Sequence, residues 1–306
     1  MTQTDESRDM NSVGLVTPTY GRDLERCALL CESVDRYVTS FTKHYLIVAD
    51  EELPLFARFN GAHREVLPHS QLLPSWLKPL PPFVRRRHRR YWWSLRAMPV
   101  SGWHVQQLVK IRAASLFPEP RTCMLDSDVV FFRPFDASAF AQPDPAPLFV
   151  RPREVTAAAP LHAPWVRSSH RLLGLAEPAF PADDFIGHII FWDRRTVRAM
   201  IERIEQVTGL DWVEALCRAR DISEYMLYGH FVRHSAGFMQ HHRATTKNLC
   251  LSYWDAAALD KPTVERMLRS AAADFVAFSP ASFSDTPVHR VRSVLGQLAD
   301  AEKRVA

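Results

Sequence analysis

No run of about 18 or more consecutive apolar residues occurs, so the sequence offers no membrane-spanning helix. The apolar core of a signal peptide is also missing. Met1 to Ser12 is polar and acidic, and the expectation is a cytoplasmic protein whose residues 1–12 form a disordered N-terminus. Cysteine is scarce: Cys27, Cys31, Cys123, Cys217 and Cys250 are five in number, odd, and without CxxC spacing. That excludes a cysteine-based zinc module and fits reduced thiols, with Cys27 and Cys31 packing on one apolar helical face. No repeat of about 20 to 50 residues is visible, which argues against a solenoid.

What is present suits a packed soluble protein of 306 residues, 47% hydrophobic and 24% charged. A chain this long buries roughly three quarters of its unfolded surface and needs neither disulfide nor structural metal to fold. The net charge of +4 is modest, but Arg far outnumbers Lys, and the Arg fork suits phosphates and carboxylates. The run Arg85-Arg86-Arg87-His88-Arg89-Arg90 leads straight into Tyr91-Trp92-Trp93. Residues 85–93 read as a solvated loop, a grip on an anionic acceptor, or a peripheral membrane contact. One short basic run without a binding motif does not support nucleic acid.

Val13 to Val16 is an apolar run that stops at Thr17-Pro18-Thr19-Tyr20-Gly21, before a helical period over Leu24 to Val38. Tyr45 to Ala49 stops at Asp50-Glu51-Glu52 and leads into a second helical pattern. Strand and helix alternate twice, as in a parallel sheet with crossover helices, giving an α/β fold with a mostly parallel central sheet. A short strand follows at Arg64 to Leu67. Pro68 to Pro99 has no clean period and reads as an excursion over the sheet edge. A helix over Trp103 to Phe117 precedes Thr122-Cys123-Met124-Leu125-Asp126-Ser127-Asp128-Val129-Val130-Phe131-Phe132. Beyond it the chain turns more helical, with a strand at Ile186 to Trp192 and helices near 194–207, 211–219 and 222–234.

Asp126 and Asp128 end a buried strand, where an unpaired carboxylate is costly. They must be paired, lie at an edge, or hold a cation. In parallel α/β sheets ligands bind beyond the carboxyl ends of strands, and alternation would turn both acids to one side. Hard oxygen ligands favour Mg²⁺ or Mn²⁺, completed by substrate phosphates. A turn-capping acid pair without metal is the bland alternative.

Met124 to Phe131 resembles the DxD motif of GT-A-fold glycosyltransferases, and Val13 to Tyr20 resembles their first strand and nucleotide loop. Trp103 to Lys110, Ala182 to Gly187 and Ser223 to Gly229 extend the likeness to a bacterial family of that superfamily without assigned function. The resemblance implies a metal-dependent glycosyltransferase with a nucleotide-sugar donor, UDP- or GDP-linked, and an acceptor that is a glycan, lipid or small molecule. Residues 13–136 would be the donor-binding half and 137–306 the acceptor-binding half of one domain. It further implies that Thr17, Pro18 and Tyr20 line the nucleotide pocket, and that Asp50 approaches the base. Gln106, Gln107 and Lys110 share one helical turn and could face the donor, Lys110 as a point charge for phosphate.

An inverting transfer needs a base on the acceptor hydroxyl. Asp184, in Asp183-Asp184, is the first candidate, since neighbours in an extended stretch face opposite ways. Glu224 is the second, unless it folds back in a capping box with Asp221. The resemblance also implies a third metal ligand from a late histidine; His241 and His242 are nearest to that description, with His289 behind them, and His241 is taken as the candidate. Asp126-Ser127-Asp128-Val129-Val130 also resembles the nucleophile motif of haloacid-dehalogenase phosphatases, although about 110 ordered residues precede it. A non-catalytic nucleotide-sugar-binding protein is the other alternative.

Overall fold

The structure is a computed structural model that describes residues 12–81, 90–141, 144–281 and 283–305, with side chains to residue 300. Five strands make the central sheet: β1 (Val13–Pro18), β2 (Lys43–Val48), β3 (Arg64–Pro68), β4 (Arg121–Leu125) and β5 (Ile189–Asp193). Their order is β5-β4-β1-β2-β3. The first four run parallel, and β5 pairs antiparallel with β4. The sheet is therefore mixed, with helices on both faces.

Alternation along each strand sends side chains to two separate cores, as expected of strands covered on both faces. Leu15, Cys123, Leu125 and Phe191 join one cluster, in which Leu30 and Val34 of α1 (Leu24–Tyr37) pack. Val16, Met124, Ile190 and Trp192 join the other. That second core is closed by α2 (Gly102–Leu116), α3 (His162–Leu173), α4 (Arg194–Thr208), α5 (Trp212–Arg218) and α6 (Glu224–His234). A residue such as Met124 thus fixes register, because a slip of one would exchange the two cores.

The antiparallel strand β5 is tied by a buried ion pair. Arg121 opens β4 and Asp193 closes β5; they are register partners, and their side chains meet at 3.1 Å. Asp193 also caps α4, accepting from Thr196 N at 2.9 Å. Gly209 ends α4 with φ 67°, a left-handed position that glycine takes without penalty.

The described residues of the excursion, 68–81 and 90–99, carry regular structure that their sequence does not announce. Lys78–Pro79, Tyr91–Trp93 and Val100–Ser101 form a small antiparallel sheet, anchored because Trp92 is buried against His69, ring centroids 5.7 Å apart. Of the basic run, Arg85 to Arg89 lie outside the described residues, as does nearly all of the tail 1–12. Arg90 pairs with Glu52.

After the acids the second apolar run leaves the central sheet. Val130–Phe131 joins Ala277–Pro280 and Cys250–Tyr253 in a three-stranded sheet, packed on α7 (Lys261–Ser270) and α8 (Val288–Val305). All five cysteines are free and buried. No helix among the described residues is long and apolar enough to cross a membrane.

Candidate functional site

The chain lays β1, β2 and β3 to one side, then returns to place β4 on the other side of β1. Strand order reverses between β1 and β4, and a ligand crevice belongs outside their carboxyl ends. Val16 and Met124 are register partners, so Pro18 and Asp126 leave the sheet side by side.

Asp126 to Val129 is a tight turn, closed by Val129 N donating to Asp126 O at 3.1 Å. The segment is therefore a turn and not the extended stretch on which the expected alternation of the two acids rested. Asp126 faces α2 and α6, while Asp128 lines a cavity of about 20 Å³ with Arg26, Pro280 and Thr286, room for about one water. Ser127 meets Asp23 at 3.4 Å, and Asp23 is paired with Arg26 at 2.9 Å. Burial raises the Asp23 carboxyl above its ordinary range, with Arg26 opposing. Asp23 is thus a third acid at this turn.

Lys110 is the hub of the other side. Its Nζ donates to Asp126 Oδ1 at 2.9 Å, Glu224 Oε1 at 3.0 Å and the Tyr225 hydroxyl at 3.0 Å. Burial alone disfavours the ammonium, but Asp126, Tyr225 and Glu224 outweigh it and hold Lys110 well above its usual pKa. Burial likewise opposes ionisation of Asp126, yet Lys110 and His188 outweigh it and hold the carboxyl well below the usual range. His188 Nδ1 lies 3.6 Å from Asp126 Oδ2, and its ring stacks on Trp254 with centroids 5.0 Å apart. Trp254 and Phe283, 57% and 55% exposed, form an aromatic wall beside the acids.

Of the residues the sequence singled out, the structure thus joins Asp126, Lys110 and Glu224 directly. Gln107 belongs to the same group, its Oε1 accepting from Glu224 N at 3.1 Å. Glu224 is no capping-box partner of Asp221. Ser223 caps α6 instead, accepting from Met226 N, and this frees the Glu224 carboxylate for Lys110. Gln106 is half-buried on α2.

Among the described residues, the remaining candidates are not bonded to that group. Thr17 is fully buried and meets His44 Nε2 at 3.0 Å, while Arg64 donates to His44 Nδ1 at 3.1 Å. Pro18 is buried at the end of β1, and Tyr20 is half-buried where the crevice opens. Asp50 is exposed and accepts from Ser70 N at 3.2 Å. Asp184, fully buried, accepts from Arg151 at 2.7 Å, from Ile186 N at 2.9 Å, and meets His162 at 3.1 Å. Burial opposes its ionisation, but His162, Ile186 and Arg151 hold its carboxyl low. It makes no contact with Asp126 among the described residues. His241 is drawn to Asp144 at 3.2 Å rather than to the acid turn. A separate cleft of about 580 Å³, lined by Glu25, Glu32, Arg58, Phe59, His289 and Arg292, also lies away from these acids.

His188, Tyr225, Trp254 and Asp23 were not picked out as site residues by the sequence. The one available signal was His188 itself, a lone imidazole just before the apolar run Ile189 to Trp192.

A family model matches residues 10–301, nearly the whole chain, and the chain belongs to that family, DUF6492, a family of unknown function. No curated protein matches the chain.

Proposed function

We propose that the chain is a metal-dependent glycosyltransferase of the GT-A type, transferring a sugar from a nucleotide-diphosphate donor to an acceptor hydroxyl. The observation that carries this reading is the carboxylate of Asp126, paired with Lys110 at 2.9 Å and set just beyond β4 where the strand order reverses. The aromatic wall of Trp254 and Phe283 beside it supports a ligand with a flat apolar face.

The donor set fits a hard divalent cation, Mn²⁺ or Mg²⁺, completed by substrate phosphates. Asp126 and Asp128 would hold it, with His188 in the place first given to His241. When bound, such an ion offsets the charge that grows on the departing diphosphate. The chain's own residues do the positioning. Lys110 locks Asp126 in its ionised form and ties α2 to α6. His188, between Asp126 and Trp254, lies against the second carboxylate oxygen and fixes its position.

Thermal melting with UDP or GDP, each with Mn²⁺ or Mg²⁺, tests the proposal, since a ligand of the native state raises its stability by mass action. The expected result is a shift that needs both nucleotide and metal and vanishes in Asp128→Ala, together with hydrolysis of one nucleotide-sugar in a panel. Binding without turnover would favour a non-catalytic nucleotide-sugar-binding protein. Hydrolysis of a simple phosphomonoester, with no response to nucleotides, would favour the phosphatase reading.

A further inference from the structure

We propose that His170, His230 and His234 form a separate metal site between α3 and α6, suited to a borderline transition-metal ion such as Zn²⁺. Their ligand nitrogens all lie within 4.8 Å of one another. His230 and His234 stand one turn apart on α6 and share a face. His170 reaches them from α3, its ring 4.8 Å from that of His230 and 5.1 Å from that of His234, and nearly perpendicular to both. Zn–N bonds of about 2.0–2.1 Å put tetrahedral ligand nitrogens roughly 3.3 Å apart, so modest side-chain rotation closes the three rings on an ion.

Hydrogen bonding points the same way. His170 Nδ1 lies 2.6 Å from the carbonyl of Ala176, and because a carbonyl only accepts, Nδ1 must carry the proton. That leaves Nε2 with its lone pair, the arrangement in which metal-bound imidazoles are usually held. His230 is 3% exposed, and neither of its ring nitrogens has a hydrogen-bond partner among the described residues. Buried polar atoms without partners are costly, and a metal–nitrogen bond would remove the cost at one of them.

The surroundings select the ion and the fourth ligand. Asp184 is held by Arg151, His162 and Ile186 N, and Asp183 by Arg233 and Arg153 N, and the groups that converge within reach of one ion are the three imidazoles. Imidazoles without carboxylates favour zinc, copper or nickel over magnesium or manganese. The Phe185 ring, 5.2 Å from His230, seals one side. His234 is exposed and gives the ion an entry path and a solvent ligand. Since α6 begins with Glu224 and Tyr225, an ion here would brace the helix that carries the partners of Lys110.

The test uses the untagged full chain, stripped with chelator and then titrated with Zn²⁺ and Co²⁺. One equivalent of Zn²⁺ should survive gel filtration and raise the melting temperature. Co²⁺ should give a visible d–d spectrum that Zn²⁺ abolishes. His234→Gln, at an exposed position, should weaken binding by at least about tenfold while leaving the metal-free melt unchanged, since even outer-shell changes at metal sites have effects of that order. Asp128→Ala should leave Zn²⁺ binding intact, which separates this site from the acid turn. The proposal is overturned by a chain that retains no stoichiometric Zn²⁺, by affinity in His234→Gln and His170→Gln unchanged from that of the unsubstituted chain, or by loss of binding in Asp128→Ala.

Discussion

Replacing Lys110 by Met removes a buried ammonium of similar length and leaves its three acceptors behind. The side chains of Lys110 and Glu224 are only 6% and 5% exposed, whereas that of Asp126 is 37% exposed and can recover hydration. Most of the loss should therefore come from Glu224, stranded as a buried carboxylate or forced to protonate. Breaking a buried pair from one side costs about 3–5 kcal/mol, which for a chain of this size lowers the melting temperature by roughly 5–8 °C. The comparison that isolates the cause is Lys110→Met with Glu224→Gln, where a neutral amide replaces the orphaned charge. Urea unfolding at neutral pH should show the double variant regaining at least about 2 kcal/mol over the single one, a coupling expected of groups in contact. If Lys110→Met costs less than about 1 kcal/mol, or the second change brings no recovery, the hub described here is not holding the helices together.

Two further predictions concern the frame around the site. A methyl group on Gly229 would collide with the Phe185 ring, so Gly229→Ala should destabilise by at least about 2 kcal/mol, and Phe185→Leu in the same chain should restore part of it, read by urea midpoints. Burial pushes His44 down to about 3, and His69 and His104 down to about 4, from an ordinary 6.5. Between pH 6.5 and about 4 the unfolded chain binds protons that the folded chain refuses, so stability should fall with pH by up to about 1.4 kcal/mol per unit for each histidine. His44→Gln should flatten that slope by close to one proton's worth; an unchanged slope would mean that His44 is already protonated in the fold.

The sheet was legible because its strands carry their period openly. Val13 to Val16, Tyr45 to Ala49 and Thr122 to Leu125 are apolar runs bounded by turn formers, and a strand buried on both faces has no other way to read. The direction of β5 was not legible. Antiparallel pairing depends on a return through residues 137–188, and the ion pair of Arg121 with Asp193 joins residues 72 apart with no local trace. In the candidate site, Asp126 stands out in the sequence because two acids interrupt an apolar segment. Its partners could not be assigned, since Lys110, Glu224 and His188 each sit in ordinary local patterns and acquire meaning only where α2, α6 and the approach to β5 converge. Ser223 shows the same limit at short range: Asp221 and Ser223 both suit a cap, and only the backbone of α6 decides between them.

Lys110 also constrains how the proposed cation could be held. An ion and an ammonium compete for the same carboxylate, and Asp126 Oδ1 is already taken by a lysine with no water to retreat into. Displacing Lys110 would leave its charge buried against Glu224 and Tyr225 alone, so on the proposed reading the lysine stays and the ion approaches through Oδ2. That oxygen faces His188, and beyond His188 stand Trp254 and Phe283. The donor would then enter over the aromatic wall, not along α2, and Gln106 and Lys110 would act by shaping the floor beneath it. In this arrangement Lys110 neutralises part of the charge of Asp126, so the acid turn would bind a bare cation weakly and gain affinity once a diphosphate brought its own oxygens. On the proposed reading, joint dependence on metal and nucleotide would follow from the ion pair.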